Sequence, residues 1–377
     1  MELLAIADDL TGAFEVGAQF SEEGLACVVS TGEVCGSVPR LVIDAETRRL
    51  DNRAAAIRIG EIIHACSKAA PIPHLFLKTD STLRGPIGGS IQEILKQDPR
   101  RKVVYAPAYP ALGRMVRNGL LFVDGQLVAE TAFAQDLLNP VRESSALRLI
   151  SEAVAGEVIS AMPRELEHAL TAGAVIVVDG EAQEDLETAA HATCKAGAVA
   201  AGTAAFARAW ARELGLSRAP RPPAPVARSG LIVAGSLHPR SRAQIRCATQ
   251  LGIPMFKPGG DVAVLASALL QRNWAIIASD DQACAEPSHI AAELGRAVRQ
   301  IAVRVQFDAL VLFGGDTASA VLKELGWTAA LPIQELLPGV PVSTPYHGCS
   351  PALVTKAGGF GEDDVIEQII IKLERGR

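Results

Sequence analysis

The sequence predicts an α/β protein of two domains, each a mostly parallel sheet flanked by helices. Three observations carry this expectation. Short apolar runs of strand length alternate with amphipathic stretches of helical length through most of the chain. The runs end in polar or glycine-rich turns that lead straight into a helix, the order of strand–loop–helix units. A proline-rich stretch, Arg218-Ala219-Pro220-Arg221-Pro222-Pro223-Ala224-Pro225, interrupts the rhythm once, and prolines so spaced neither continue a helix nor sit inside a sheet. At 377 residues the chain exceeds one ordinary core. The expected organisation is a first domain at 1–218, a semi-rigid, extended linker at 219–229 and a second domain at 230–377.

Composition bounds the function. Hydrophobic residues make up 49% and charged residues 21%, values of a soluble globular protein. Aromatic residues are only 4%, which favours α/β layers over an aromatic-rich sandwich. The net charge of -6 argues against a nucleic-acid partner. No apolar run reaches membrane-spanning length, and the N-terminus lacks the pattern of a signal peptide. Cys27, Cys35, Cys66, Cys194, Cys247, Cys284 and Cys349 form no C-x-x-C pair, so neither a zinc site nor a disulfide framework is indicated. A reducing cytoplasm is the expected compartment.

In chain order, strands are expected at 3–7, 26–30 and 40–44, a helix at 51–70, a strand at 75–78, a helix from Pro86 and a strand at 103–106. Residues 107–145 depart from this rhythm. Leu120-Leu121-Phe122-Val123, Asp124-Gly125 and Gln126-Leu127-Val128 read as a tight hairpin, with Asn118-Gly119 a second turn; the segment is expected as an insertion over the sheet edge. A strand at 175–178 and helices at 183–195 and 203–214 resume the pattern. Beyond the linker, strands at 231–234, 274–278, 309–313 and 352–356 each precede a helix.

The first stretch, Ile6-Ala7-Asp8-Asp9-Leu10-Thr11-Gly12-Ala13, places two carboxylates at a strand end, where open α/β sheets bind ligands. An Asp there also commonly ends a strand or caps a helix, and Thr11 has the chemistry of an N-cap. Further polar loops follow: Asp44-Ala45-Glu46-Thr47-Arg48-Arg49, then Lys78-Thr79-Asp80-Ser81-Thr82-Leu83-Arg84-Gly85. Cations beside hydroxyls and carboxylates suit a small polyhydroxy acid, because Arg grips a carboxylate and Asp accepts from sugar hydroxyls.

The second half carries three glycine junctions after apolar strands: Gly235-Ser236, Gly314-Gly315-Asp316-Thr317 and Gly358-Gly359-Phe360-Gly361. Glycine lets backbone approach a ligand, and a helix start beyond it favours phosphate, so three such junctions point to a nucleotide site. There is no G-x-x-x-x-G-K-S/T P-loop, and no G-x-G-x-x-G after a strand, which sets a dinucleotide dehydrogenase back. The histidines show no metal spacing, so His238 and His347 read as loop residues; Ser236 lacks the G-x-S-x-G elbow of a hydrolase nucleophile.

These motifs together, with Ala106-Pro107-Ala108-Tyr109-Pro110 and Asn118-Gly119, resemble the four-carbon acid sugar kinases from first strand to last helix. The resemblance implies an ATP-dependent kinase acting on threonate, erythronate or a 3-oxo-tetronate, with the acid sugar bound by the first domain and ATP by the second. By motif it implies substrate contacts from Asp8, Asp9, Arg48, Lys78, Thr79, Asp80, Ser81, Thr82 and Arg84. The register leaves open Asp8 or Asp9, and Arg48 or Arg49. ATP contacts fall to Ser236, Gly314, Gly315, Asp316, Thr317, Gly358, Gly359, Phe360 and Gly361. The expected chemistry is transfer of the γ-phosphoryl group to a terminal hydroxyl, with Asp9 or Asp80 as the proton-accepting carboxylate. Lys78 and Arg84 are expected to hold the substrate carboxylate or offset phosphate charge. Mg²⁺ is expected with ATP, near Asp316, its protein ligands unknown from sequence. The domains are expected to close over the substrates, and a homodimer is the default assembly. The competing reading is a non-catalytic two-domain sensor of a sugar acid, which has no need of a phosphate cradle.

Overall fold

The computed structural model describes residues 1–31, 38–98, 101–136, 139–216, 219–235, 238–279, 287–348 and 351–376. The chain divides into two compact units, Met1–Pro220 and Arg221–Arg377.

The first unit runs β1 (Leu3–Ala7), α1 (Leu10–Phe20), β2 (Val28–Ser30), β3 (Arg40–Asp44), α2 (Asn52–Ala69), β4 (His74–Lys78), α3 (Ile87–Gln97) and β5 (Val103–Ala106). After an inserted meander of β6 (Arg114–Arg117), β7 (Leu120–Val123) and β8 (Gln126–Leu127) come α4 (Ala146–Ser151), β9 (Val158–Ala161), α5 (Leu166–Ala172), β10 (Val175–Val178), α6 (Gln183–Ala196), β11 (Val199–Gly202) and α7 (Ala204–Glu213). Its sheet has the order β2-β3-β1-β4-β11-β5-β10-β9 and is parallel throughout. The central strand β1, Leu-Leu-Ala-Ile-Ala, is buried along its whole length, as a parallel strand covered on both faces must be. Phe20 of α1, Phe76 of β4 and Trp210 of α7 close one face of the core, with ring centroids 5.6–6.2 Å apart.

The sequence reading leaves β9 and β11 unassigned. Strand β11 is Val-Ala-Ala-Gly, a composition with no strand signature of its own; its place between β4 and β5 is imposed by packing. The inserted meander turns at Asn118-Gly119 and Asp124-Gly125, all four residues at positive φ, the backbone a two-residue hairpin needs. It is anchored at the carboxyl end of β10 rather than along a sheet edge: Val116 pairs with Gly180, and Asp179 accepts from the Asn118 and Gly119 amides at 2.7 and 2.9 Å.

The second unit runs β12 (Gly230–Ala234), α8 (Pro239–Gln250), β13 (Met255–Phe256), α9 (Val262–Arg272), β14 (Trp274–Ala278), α10 (Pro287–Ala302), β15 (Ala309–Phe313), α11 (Gly315–Leu325), β16 (Ala329–Leu337), β17 (Val340–Pro345), β18 (Ala352–Lys356) and α12 (Val365–Arg375). Strands β13-β14-β12-β15-β18 are parallel, and β17 and β16 continue the sheet antiparallel. The β16–β17 hairpin has no clear strand signal in sequence because Pro332, Pro341 and Pro345 punctuate it; irregular register at Pro332 absorbs the missing donor. Part of the stretch expected as linker packs into the second unit. Ala224 and Ala227 are core residues of the second unit, and the Ala227 amide donates to Leu373 O at 3.0 Å. No helix among the described residues is long and apolar enough to cross a membrane.

Candidate functional site

In the first unit, three strand ends converge. Strand β1 pairs with β3 on one side and β4 on the other, so the residues just beyond Ala7, Asp44 and Lys78 lie side by side. Asp8 and Asp9 follow β1, Arg48 follows β3, and Asp80 follows β4. The Arg48 guanidinium binds all three carboxylates: Nε to Asp8 Oδ2 at 2.8 Å, Nη1 to Asp9 Oδ2 at 2.7 Å, and Nη2 to Asp80 Oδ2 at 3.5 Å. Of the two arginines it is Arg48 that joins this cluster, and Arg49 is exposed.

The three carboxylates are not equivalent. Asp9 caps α1, accepting from the Gly12 amide at 2.8 Å through Oδ1 and from Thr11 Oγ1 at 2.6 Å through Oδ2. Burial opposes its charge, but Arg48, Lys78 and these hydrogen bonds outweigh it and hold Asp9 below the usual carboxylate range. Asp80 folds its own loop, accepting through Oδ1 from the Thr82 amide and hydroxyl and pairing both oxygens with Arg84, at 3.0 and 2.7 Å. Burial is again outweighed, chiefly by Arg84 and Arg48, and Asp80 lies well below the usual range. Asp8 differs. Burial, with Asp9 adding to it, pushes its carboxyl up against the pull of Arg48. Its Oδ1 is buried and accepts no hydrogen bond from any described residue.

Lys78 is 3% exposed, with Nζ 3.3 Å from Glu15 Oε2 and 3.0 Å from Thr79 O. Burial works against its charge, but Glu15, Asp8 and Asp9 raise its pKa and keep it an ammonium. A Cβ on Gly12 would stand 2.8 Å from Asp9 Oδ1 and 2.9 Å from Lys78 Nζ, so any larger residue there must displace those two groups. Asp44 is buried beside the cluster; burial and then Asp9 push it well above the usual range, toward the neutral acid. Arg84 is engaged on every side: beyond Asp80 it binds Asp136 at 3.0 Å and lies over the Phe133 ring at 5.6 Å, joining the inserted segment to the loop. Thr79 Oγ1 lies 3.3 Å from Tyr105 OH, and Ser81 and Thr82 are buried in the same loop. Glu15 and Asp136 escape the sequence reading, and Asp44 is read there only as part of a polar loop. Glu15 had a signal: a carboxylate one helical turn beyond Thr11, flanked by Phe14 and Val16 on a helix that is otherwise mostly apolar.

In the second unit, β12, β15 and β18 are adjacent, and the three glycine junctions stand at their carboxyl ends. Ser236 lies outside the described residues. Gly314 caps α11 at φ 92°, a backbone open to glycine, and its amide donates to Lys356 O at 2.8 Å. A Cβ on Gly235 would stand 2.6 Å from Thr317 Oγ1, which fixes close packing between the first two junctions. Gly315 begins α11, Asp316 is exposed in its first turn, and Thr317 is buried. In the third junction Gly358, Gly359 and Gly361 are half-buried, whereas the Phe360 side chain is buried. His238 caps α8, its Nδ1 accepting from the Arg240 amide, the structural place expected of it. Among the described residues no cluster of His, Cys, Asp and Glu has the makings of a metal site.

Comparison with known proteins follows the same division. Residues 3–210 match the sugar-binding N-terminal domain and residues 257–366 the nucleotide-binding C-terminal domain. A D-threonate kinase of Bordetella bronchiseptica is 31% identical over 397 positions, covering 96% of this chain and 95% of that protein. A 3-oxo-tetronate kinase of Brucella melitensis is 26% identical and covers 96% and 94%. A solved structure from Salmonella typhimurium LT2 superposes with a TM-score of 0.80 over 98% of both chains at 22% identity, which shows a common fold.

Proposed function

We propose, from the premise that this chain belongs to the four-carbon acid sugar kinase family, that it transfers the γ-phosphoryl group of ATP to a hydroxyl of a four-carbon sugar acid. Threonate, erythronate and their 3-oxo forms are the candidate acceptors. The observation that carries the reading is the cluster of the first unit, where one guanidinium gathers three carboxylates and leaves Asp8 Oδ1 without a donor. A buried acceptor without a donor is costly unless a ligand supplies one, and a sugar hydroxyl does.

In this reading Arg48 and Lys78 provide the positive field for the substrate carboxylate. Asp8 Oδ1 accepts the hydrogen bond of the attacking hydroxyl. As that oxygen bonds to the γ-phosphorus, the bond from phosphorus to the bridging oxygen of ADP breaks and the hydroxyl proton passes to Asp8. The sequence pointed to Asp9 or Asp80 for this role; Asp9 and Asp80 already use both oxygens within the protein and are better suited to orient Arg48 and the loop. Arg84, with each of its three nitrogens paired to Asp80 or Asp136, is better suited to hold the loop in place than to grip the substrate.

The glycine junctions at the carboxyl ends of β12, β15 and β18 suit a triphosphate, because backbone without a Cβ lets phosphate come close and α11 starts at the second of them. Mg²⁺ would travel with ATP and offset charge on the phosphates, and Asp316, exposed in the first turn of α11, is the carboxylate that would help hold it. The test is ADP release from ATP and Mg²⁺ against D- and L-erythronate, D- and L-threonate and their 3-oxo forms. Turnover with a member of that panel supports the kinase. Silence across it, with no ATP binding by calorimetry, contradicts the reading and favours a sugar-acid sensor.

A further inference from the structure

Lys356 closes β18 immediately before the third glycine junction, and a cation at such a place invites the role of phosphate ligand. The structure puts its side chain elsewhere. It is wholly buried, with Nζ 4.5 Å from the centre of the Phe313 ring. Nζ donates to Ala357 O and Phe360 O, both at 2.8 Å, and lies 3.4 Å from Gly358 O. Two side chains of α8 complete the grip from beneath. Ser241 Oγ donates to Gly358 O at 2.8 Å, and Gln244 Nε2 reaches Phe360 O, Gly361 O and Glu362 O at 2.9, 2.9 and 3.0 Å.

The carbonyls of residues 357, 358, 360, 361 and 362 are thereby all drawn to the interior. A trans peptide is planar, and its N–H points away from its C=O. Tethering those carbonyls turns the amides of Gly358, Gly359, Gly361, Glu362 and Asp363 the other way. Among the described residues, none of these five amides donates a hydrogen bond. A run of amides facing one side is an anion-binding concavity.

We propose that Lys356, together with Gln244 and Ser241, is a positioning residue of the nucleotide site: it aims the amides of the glycine loop at the phosphates of ATP without touching them. The inference rests on the reading that the second unit binds ATP. Burial, with Arg240 adding to it, pushes Lys356 down to about 7. Near neutrality a good share of the molecules therefore carry an amine, whose two hydrogens supply the two short bonds. The clamp needs donors, not charge.

The test uses the full chain carrying Lys356→Met or Gln244→Met, with thermal melts to show that each folds. ATP with Mg²⁺ is titrated by calorimetry over a KCl series, and KM is measured for ATP and for the accepted acid. Both variants are expected to weaken ATP about tenfold, as lost loop hydrogen bonds do. KM for the acid stays within about twofold, and the slope of log Kd against log salt is unchanged, because no phosphate-paired charge is lost. The double variant is expected to fall short of additivity, since both side chains hold the same carbonyl. A phosphate contact gives a different pattern, a flatter salt slope in Lys356→Met with Gln244→Met binding normally, and that pattern overturns the proposal. ATP binding at the wild-type level in a folded Gln244→Met and Lys356→Met pair overturns it too. Failure of the wild-type chain to bind ATP removes the nucleotide reading itself, a result told apart by the wild-type titration alone.

Discussion

The two units build their candidate sites from opposite materials. The first presents charged side chains: Arg48, Lys78 and Arg84 against Asp8, Asp9, Asp80, Glu15 and Asp136, nearly all buried or half-buried and each tied to a neighbour. The second presents backbone, with side chains withdrawn behind it as tethers. Under the proposed function the difference follows from what each ligand asks. A sugar acid needs acceptors for its hydroxyls as well as cations for its carboxylate, and only side chains supply both signs. A triphosphate needs donors, which amides supply once their carbonyls are held elsewhere. Damage should therefore separate cleanly, one half losing the acid and the other losing ATP.

The largest effect is expected from Arg48→Met. It leaves the buried Asp8 and Asp80 and the half-buried Asp9 facing one another, and breaking such a pair from one side costs about 3–5 kcal/mol. kcat/KM for the acid should drop about a thousandfold, and the denaturation midpoint in urea should drop with it. Arg48→Lys is expected to recover little, because an ammonium lacks the fork that reaches Asp8 and Asp9 together. Gly12→Ala comes next. The added methyl collides with Asp9 Oδ1 and Lys78 Nζ, and a displacement of that size in a reacting cluster costs about a hundredfold in kcat/KM for the acid. A steady-state assay at saturating ATP reads it; an unchanged value would mean that the cluster is remote from the acid.

Gly314→Ala sharpens the comparison from the other side. A side chain at φ 92° carries strain of about 1–3 kcal/mol, so KM for ATP should rise about tenfold while KM for the acid stays put. The smallest effect is in pH dependence, where the two units should part company. Asp80 has its folded pKa below the unfolded one, so its contribution is present above the unfolded value of about 3.9 and is lost as pH falls through the folded value. Lys356 titrates near 7 when folded and near 10.5 when unfolded. The unfolded chain then holds the extra proton between those values, so stability rises with pH across that window, by about 1 kcal/mol between pH 7 and 8. Lys356→Met should flatten the rise in melting temperature and leave the acid limb intact.

Legibility from sequence follows the same line. The strand ends that carry charge were readable, because Asp8-Asp9, Arg48 and Lys78 through Arg84 are conspicuous after apolar runs. Their division of labour was not. Nothing in the order of residues says that Asp9 turns back to cap α1 while Asp8 keeps an oxygen open. In the second unit glycine marked the loops, but two of the three side chains that tether the third junction come from α8, more than a hundred residues away in sequence. Ser241 and Gln244 read there as ordinary polar positions of an amphipathic helix. Strand β11 and the β16–β17 hairpin were hidden for another reason: alanine, glycine and proline carry no strand preference, and neighbours in the sheet decide.

The central claim is that acid recognition and ATP recognition rest on separate materials in separate units. Calorimetric titration of ATP and of the accepted acid into both Arg48→Met and Gly314→Ala tests it most directly. The account predicts a crossed result: Arg48→Met loses the acid and binds ATP within about twofold of wild type, and Gly314→Ala does the reverse. Loss of both ligands from either folded variant, or of neither from both, would contradict it.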